Sequence, residues 1–259
     1  MTKIKGCDMT NKKDTETGRN SLRKIKNREI FSENNDRADS EHPTKIKICG
    51  MTCNADIEAV NTYLPDYIGF VLFFSKSKRN ISIEKAKELV GKTDRRIQTV
   101  AVVVSPTTEQ LQEIEKVGFD YIQIHGTLSN EVYEQCQLPI LRAFNISDMN
   151  KLPEYEAKDK IKGYVFDSKT PGSGQTFDWT LLDDIRQKQK TVTSKDVSHK
   201  KMIFLAGGID ETNVKRAILE VSPDVIDLSS AVEKTSEDGV FRGKDPKKIQ
   251  TIVSLVHNQ

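Results

Sequence analysis

Eight short runs rich in Val, Ile, Leu and aromatic residues recur from Lys45 onward, each followed by a longer amphipathic stretch. This alternation is the strongest constraint on what the chain can fold into. The runs are Lys45–Cys49, Tyr67–Phe73, Ile97–Val104, Tyr121–Ile124, Pro139–Phe144, Gly163–Asp167, Met202–Ala206 and Val225–Leu228. Several are almost continuously apolar, as strands buried on both faces are. The intervening stretches carry helical periodicity. Ala55–Leu64 places Ile57, Val60 and Leu64 on one face, and Thr108–Val117 opens after Pro106 and Thr107 and stops at Gly118. Ile83–Val90, Leu128–Cys136, Ile146–Tyr155, Trp179–Arg186, Asn213–Glu220 and Pro246–His257 complete the series. Strands alternating with helices pair in parallel through right-handed crossovers, and eight such units close into a (β/α)8 TIM barrel. An open doubly wound sheet would use fewer strands and a Gly-rich first turn. The first turn here, Cys49-Gly50-Met51-Thr52, has no G-x-G-x-x-G spacing.

The pattern leaves residues 1–43 aside. From Met1 to Phe31 there are nine Lys/Arg against four Asp/Glu and almost no apolar runs, so a polar, disordered N-terminal extension is expected, with the barrel over 44–259. A basic arm for nucleic acid or another partner is the competing reading of that stretch. The chain's net charge of +2 gives no strong field toward nucleic acid or membrane. No apolar stretch approaches the ~20 residues of a membrane span. The N-terminus has neither the apolar core of a secretory signal nor the acid-poor composition of a transit peptide, so a cytoplasmic protein is expected. The four cysteines, Cys7, Cys49, Cys53 and Cys136, have neither disulfide-framework nor zinc-finger spacing, and no metal site is expected.

A barrel places its chemistry where strands end and βα loops begin. Cys49 ends the first run, Ser75 to Arg79 follow the second, His125 ends the fourth and Arg142 lies near the end of the fifth. Asp167 ends the sixth, Gly207-Gly208 follow the seventh, and Ser229-Ser230 follow the eighth. The last two loops suit phosphate, because glycine lets backbone N–H groups approach an anion and hydroxyls add donors. Ordinary tight turns are the plainer account. Cys49 and Asp167 are the candidate acid–base pair. A thiol becomes a useful base once nearby positive charge lowers its pKa, and Arg79 is a candidate source. A lone cysteine is otherwise inert packing, and Asp167 could simply cap the turn at Ser168.

Together these segments resemble the phosphoribosylanthranilate isomerase family of tryptophan biosynthesis. Lys47-Ile48-Cys49-Gly50-Met51-Thr52 is similar to its K-I-C-G-[IL]-T opening. Gly69-Phe70-Val71 with Ser77-Lys78-Arg79, and Gln123-Ile124-His125-Gly126, resemble its second and fourth units. So do Asp167 with Gly174 to Trp179, Leu205-Ala206-Gly207-Gly208-Ile209, and Asp227-Leu228-Ser229-Ser230-Ala231-Val232-Glu233. The resemblance implies a cofactor-free Amadori rearrangement of N-(5-phosphoribosyl)anthranilate to 1-(2-carboxyphenylamino)-1-deoxyribulose 5-phosphate. It implies Cys49 as general base, Asp167 as general acid and Arg79 against the anthranilate carboxylate. His125 would add a substrate contact, and Gly207, Gly208, Ser229 and Ser230 would hold the phosphate. The partner is then a phosphorylated small molecule, and a monomer or weak dimer is expected. Three positions depart from the family pattern: Ala231 for glycine, Gln175 for lysine and Thr127 for an acid. Ala231 would strain the loop if a left-handed backbone is needed there. The alternatives are another phosphate-binding barrel, such as an indole-glycerol-phosphate synthase or a sugar-phosphate epimerase, and a non-catalytic barrel with a basic arm.

Overall fold

The structure, a computed structural model, describes residues 43–168, 176–190, 200–234 and 240–258. The extension expected over 1–43 lies outside them except for Pro43, as do most of the Ser168–Thr176 loop and Gln175.

Eight strands form the barrel: β1 (Lys45–Cys49), β2 (Tyr67–Leu72), β3 (Gln98–Val104), β4 (Tyr121–His125), β5 (Ile140–Asn145), β6 (Ile161–Asp167), β7 (Met202–Leu205) and β8 (Val225–Leu228). Every neighbouring pair is parallel, and β1 pairs with both β2 and β8, so the sheet closes on itself. A two-residue strand, Asn80–Ile81, adds onto the far end of β2 through Val71 and Leu72. The helices are α1 (Asn54–Tyr63), α2 (Ile83–Val90), α3 (Thr108–Glu115), α4 (Asn130–Gln135), α5 (Asp183–Lys190), α6 (Val214–Val221) and α7 (Pro246–His257). Local chemistry fixes their starts. Ser82, Thr107 and Ser129 accept the backbone N–H three residues on, and Asp245 precedes Pro246 at the first turn of α7.

The fifth helical segment differs from expectation. Ile146–Tyr155 is a 3-10 helix rather than an α-helix. Pro153 within it has no N–H to donate to an α-helical ladder, which favours the tighter, shorter-range winding. The sixth segment likewise begins as a 3-10 turn, Trp179–Leu182, before α5.

Period-two alternation sorts each strand into two cores. Ile46 and Ile48 of β1, Ile122 and Ile124 of β4, and Tyr164 and Phe166 of β6 face the helices and pack with Leu89, Ile114, Val214, Ile249 and Ile252. The residues between them face the barrel axis. There Tyr67, Val100, Val102, Leu141, Ala143, Val165, Phe204 and Val225 make a second, smaller cluster, with Tyr67 edge-on to Phe204 at 5.6 Å and to Tyr121 at 5.9 Å. This plug fills the lower barrel, and the main cavity lies above it at the C-terminal strand ends.

Candidate active site

Above the apolar plug the axis-facing side chains turn polar. Lys47 and Cys49 are two residues apart on β1 and so point to the same side, as do Gln123 and His125 on β4. Lys47 is fully buried. Its ammonium donates to Asp227 Oδ2 of β8 at 2.6 Å and to Gln123 Oε1 at 2.8 Å. Gln123 Nε2 lies 2.8 Å from His125 Nε2, so one chain of contacts runs from β8 through β1 to β4. Burial works against the charge on Lys47, yet Asp227, Cys49 and Asp167 together hold its pKa above the usual lysine value. Burial pushes the Asp227 carboxyl up, and Lys47 opposes that shift.

Cys49 sits at the lip of β1, against Gly69 of β2. A Cβ at position 69 would lie 2.8 Å from Cys49 Sγ, so glycine is the only residue that leaves the thiol its place. Burial raises the thiol pKa above its ordinary value. Lys47 is the strongest opposing cation, followed by Lys244, and Arg79 comes last. The positive charge that the sequence reading sought in Arg79 therefore comes chiefly from within the strand itself. It does not overcome burial.

Arg79 is held from two sides. Gly50, at φ +90°, leaves room that a Cβ would take, 2.5 Å from Arg79 Cδ. The buried Glu233 accepts from Arg79 Nε at 2.5 Å and pairs with Lys78 at 2.8 Å, with Lys244 Nζ 3.6 Å away. Burial opposes the charge on Glu233, but these three cations keep its pKa below the usual glutamate value. Burial in turn pushes Lys244 down to about 8, against the pull of Glu233. The segment carrying Lys244 is tied to the start of α1. Fully buried Asp56 accepts from Lys244 N at 2.7 Å and from Thr52 N at 2.8 Å.

Asp167 ends β6, and its Oδ1 accepts from Ser168 N at 2.7 Å. Burial is the largest influence on it and lifts the carboxyl to about 6. The Ser168 bond and Lys47 pull down, and Asp227 adds to the rise. Gly207, at φ +83°, packs directly on this group: a Cβ there would meet Ser168 N at 2.6 Å and Asp167 Oδ1 at 2.9 Å. Gly208 is also left-handed, at φ +64°, and its carbonyl accepts from Asn213 Nδ2 at 2.8 Å, which pins the loop ahead of α6. Ser229 Oγ donates to the Cys49 carbonyl at 3.1 Å, so its hydroxyl proton ties β8 to β1. What it offers an anion is its backbone. His125 is held neutral at physiological pH, because burial, Lys47 and Arg142 push it down to about 4.

Cys49, Arg79, His125, Asp167, Gly207, Gly208, Ser229 and Ser230 all line one cavity of about 540 Å³ at the C-terminal barrel mouth. Asn145, Asp148 and Lys151 line it too, from the segment that follows β5. Ala231 lies in the 3-10 turn Ser230–Val232 and has no positive φ, so the strain foreseen for a non-glycine residue there does not arise. Thr127 is an exposed wall residue whose N–H donates to Ser105 Oγ at 2.9 Å. Sequence reasoning left Lys47, Asp227, Gln123, Glu233 and Asp56 without roles. The signal for the first two was a charged residue at an axis-facing place inside an apolar strand.

Residues 46–255 match the family model described as N-(5'phosphoribosyl)anthranilate (PRA) isomerase. N-(5'-phosphoribosyl)anthranilate isomerase of Clostridium kluyveri is 37% identical over 223 residues, covering 83% of this chain and 98% of that protein. The Streptococcus pneumoniae protein of the same name is 34% identical over 216 residues, covering 83% and 96%. Among solved structures, phosphoribosyl anthranilate isomerase from Thermotoga maritima aligns with a TM-score of 0.69 and 26% identity, over 83% of this chain and all of that one.

Proposed function

The chain belongs to the N-(5'-phosphoribosyl)anthranilate isomerase family, and from that premise we propose how its own residues carry the reaction. The protein isomerises N-(5'-phosphoribosyl)anthranilate to 1-(2-carboxyphenylamino)-1-deoxyribulose 5-phosphate in tryptophan biosynthesis. The synthase, epimerase and binding-module alternatives give way to the family match, which spans nearly the whole barrel.

One observation carries the assignment of roles: a single cavity gathers a thiol from β1, a raised carboxyl from β6, a guanidinium after β2 and two glycine- and serine-lined turns after β7 and β8. In this reading the Gly207-Gly208 and Ser229-Ser230 backbones hold the phosphate, and Arg79 meets the anthranilate carboxylate. Asp167, whose burial lifts its carboxyl to about 6 so that a working fraction carries a proton near neutral pH, gives that proton to the furanose ring oxygen. The C1′–O bond breaks, and the nitrogen lone pair forms an iminium. That cation makes the C2′ proton acidic and adds positive charge beside Cys49, which counters the burial that keeps the thiol protonated. Cys49 thiolate removes the C2′ proton to give an enolamine. Protonation at C1′ and loss of the enol proton complete the ketone. A strain lacking the activity should regain growth without tryptophan when given this gene. Cys49→Ala and Asp167→Asn should each lower kcat at least a hundredfold with unchanged melting behaviour. Near-normal turnover by either soluble variant would remove that residue from its role.

We further assign the catalytic unit to 44–259 and place 1–43 outside the chemistry, supported by a family match that begins at residue 46. We also assign the protein as a monomer or weak dimer, which gel filtration with light scattering would test. Among the described residues no helix is long and apolar enough to cross a membrane, and a cytoplasmic location fits a small phosphorylated substrate.

A further inference from the structure

The contact between Gln123 and His125 has only one consistent assignment of protons. A lysine ammonium donates and cannot accept, so the Gln123 atom 2.8 Å from Lys47 Nζ is the amide oxygen. The other end of that amide is then its NH2 group, which can only donate. It lies 2.8 Å from His125 Nε2, so that ring nitrogen must accept and carries no proton. A neutral ring with a bare Nε2 has its proton on Nδ1. The ring is neutral because burial, Lys47 and Arg142 disfavour its charge. Lys47 in turn is kept charged by its 2.6 Å pair with Asp227. Asp227, Lys47 and Gln123 thus form a relay that reaches the tautomer of a residue at the cavity wall. Nδ1 has no hydrogen-bond partner among the described residues. The backbone of His125 is pinned by Ser105 N, which donates to its carbonyl at 2.9 Å.

We propose that His125 is a neutral Nδ1–H donor to an acceptor oxygen of the bound substrate, with Gln123 and Lys47 as the positioning residues that fix its tautomer. The arrangement excludes His125 as a general base at physiological pH, because its one bare nitrogen faces Gln123 rather than the cavity. It also makes the donor unable to turn into an acceptor by proton exchange, since that would set two donors, the Gln123 amide and Nε2–H, against each other. The substrate part of the proposal rests on the isomerase reading above, whereas the tautomer part stands without any ligand.

The test uses the full chain labelled with 15N-histidine and two-bond proton–nitrogen correlation spectra at pH 7. The His125 signals are identified by their loss in His125→Asn. Wild type should show a protonated, pyrrole-type Nδ1 and a pyridine-type Nε2. Gln123→Glu keeps the shape and the bond to Lys47 but replaces the donor with an acceptor, so the proton should move to Nε2 or the ring should become doubly protonated. Gln123→Met should leave a mixture of tautomers. Adding the product of the reaction to wild type should shift the Nδ1 proton downfield. Steady-state assays should show a roughly tenfold rise in KM for Gln123→Glu, with unchanged melting. A wild-type spectrum with the proton on Nε2, or a tautomer that ignores both Gln123 variants, overturns the relay. A correct tautomer combined with an unmoved Nδ1 signal on product binding overturns the donor role. If the chain turned over no phosphoribosylanthranilate, the functional reading would fall while the ligand-free tautomer result could still be read.

Discussion

Replacing Lys47 with methionine should be among the most damaging single changes outside the reacting groups. The side chain has no solvent exposure and a 2.6 Å bond to a carboxylate that is itself 8% exposed. Methionine fills nearly the same volume, so packing is preserved and the effect is electrostatic. The variant leaves Asp227 charged and buried, and Asp227 Oδ1 already has no hydrogen-bond partner in the native site. Removing one member of a buried ion pair costs about 3–5 kcal/mol. Against a total of roughly 5–15 kcal/mol this is a large share. For a barrel of this size it corresponds to a fall in Tm of about 6–20 °C. The pH dependence gives a second, sharper readout. Burial already pushes the Asp227 carboxyl up, and losing Lys47 pushes it further. A carboxyl whose folded pKa exceeds its unfolded one binds its proton more tightly when folded, so its penalty is full above the folded pKa and fades toward the unfolded value near 4. The deficit relative to wild type should therefore shrink as pH is lowered from 7 to 5. Urea unfolding followed by circular dichroism at both pH values measures this. The double variant Lys47→Met/Asp227→Leu removes both charges and should recover most of the loss. A single-variant deficit below about 1 kcal/mol at pH 7, or one that does not change with pH, would refute the reasoning.

Three further outcomes follow from the site. Gly69→Ala puts a methyl 2.8 Å from Cys49 Sγ and 3.3 Å from Cys49 Cα, so the thiol must move; kcat should fall at least tenfold with a stability loss of about 1–3 kcal/mol, checked by kinetics and melting. The pH profile of kcat/KM should rise to a plateau through Asp167's value of about 6 and fall above the raised pKa of Cys49, because only protonated Asp167 with thiolate Cys49 reacts; Asp167→Glu should displace the acidic limb, and a limb that stays put would assign it elsewhere. Glu233→Ala frees Arg79 and leaves Lys244 without its 3.6 Å partner; KM should rise several-fold more than kcat falls, and this extra cost should vanish in an Arg79→Ala background if Glu233 acts through Arg79.

The eight-unit alternation by itself determined the barrel and put Cys49, His125 and Asp167 at strand ends, because strand periodicity and strand-then-turn order are local properties of the chain. β1 and β8 run between the residues expected, the other strand boundaries moved by at most two residues, and the sixth helical segment runs four residues past Arg186 to Lys190. The 3-10 winding of Ile146–Tyr155 shows the limit of periodicity, which marks an apolar face without fixing the hydrogen-bond spacing behind it. The protonation chemistry was decided only by the closed barrel. Lys47 meets Asp227 across 180 positions and Gln123 across 76, and those pairings exist only once the strand register is set. Burial is likewise a property of the assembled mouth. It raises the thiol of Cys49, lifts Asp167 to about 6 and keeps His125 neutral, and no spacing of residues along the chain encodes how much water each group loses.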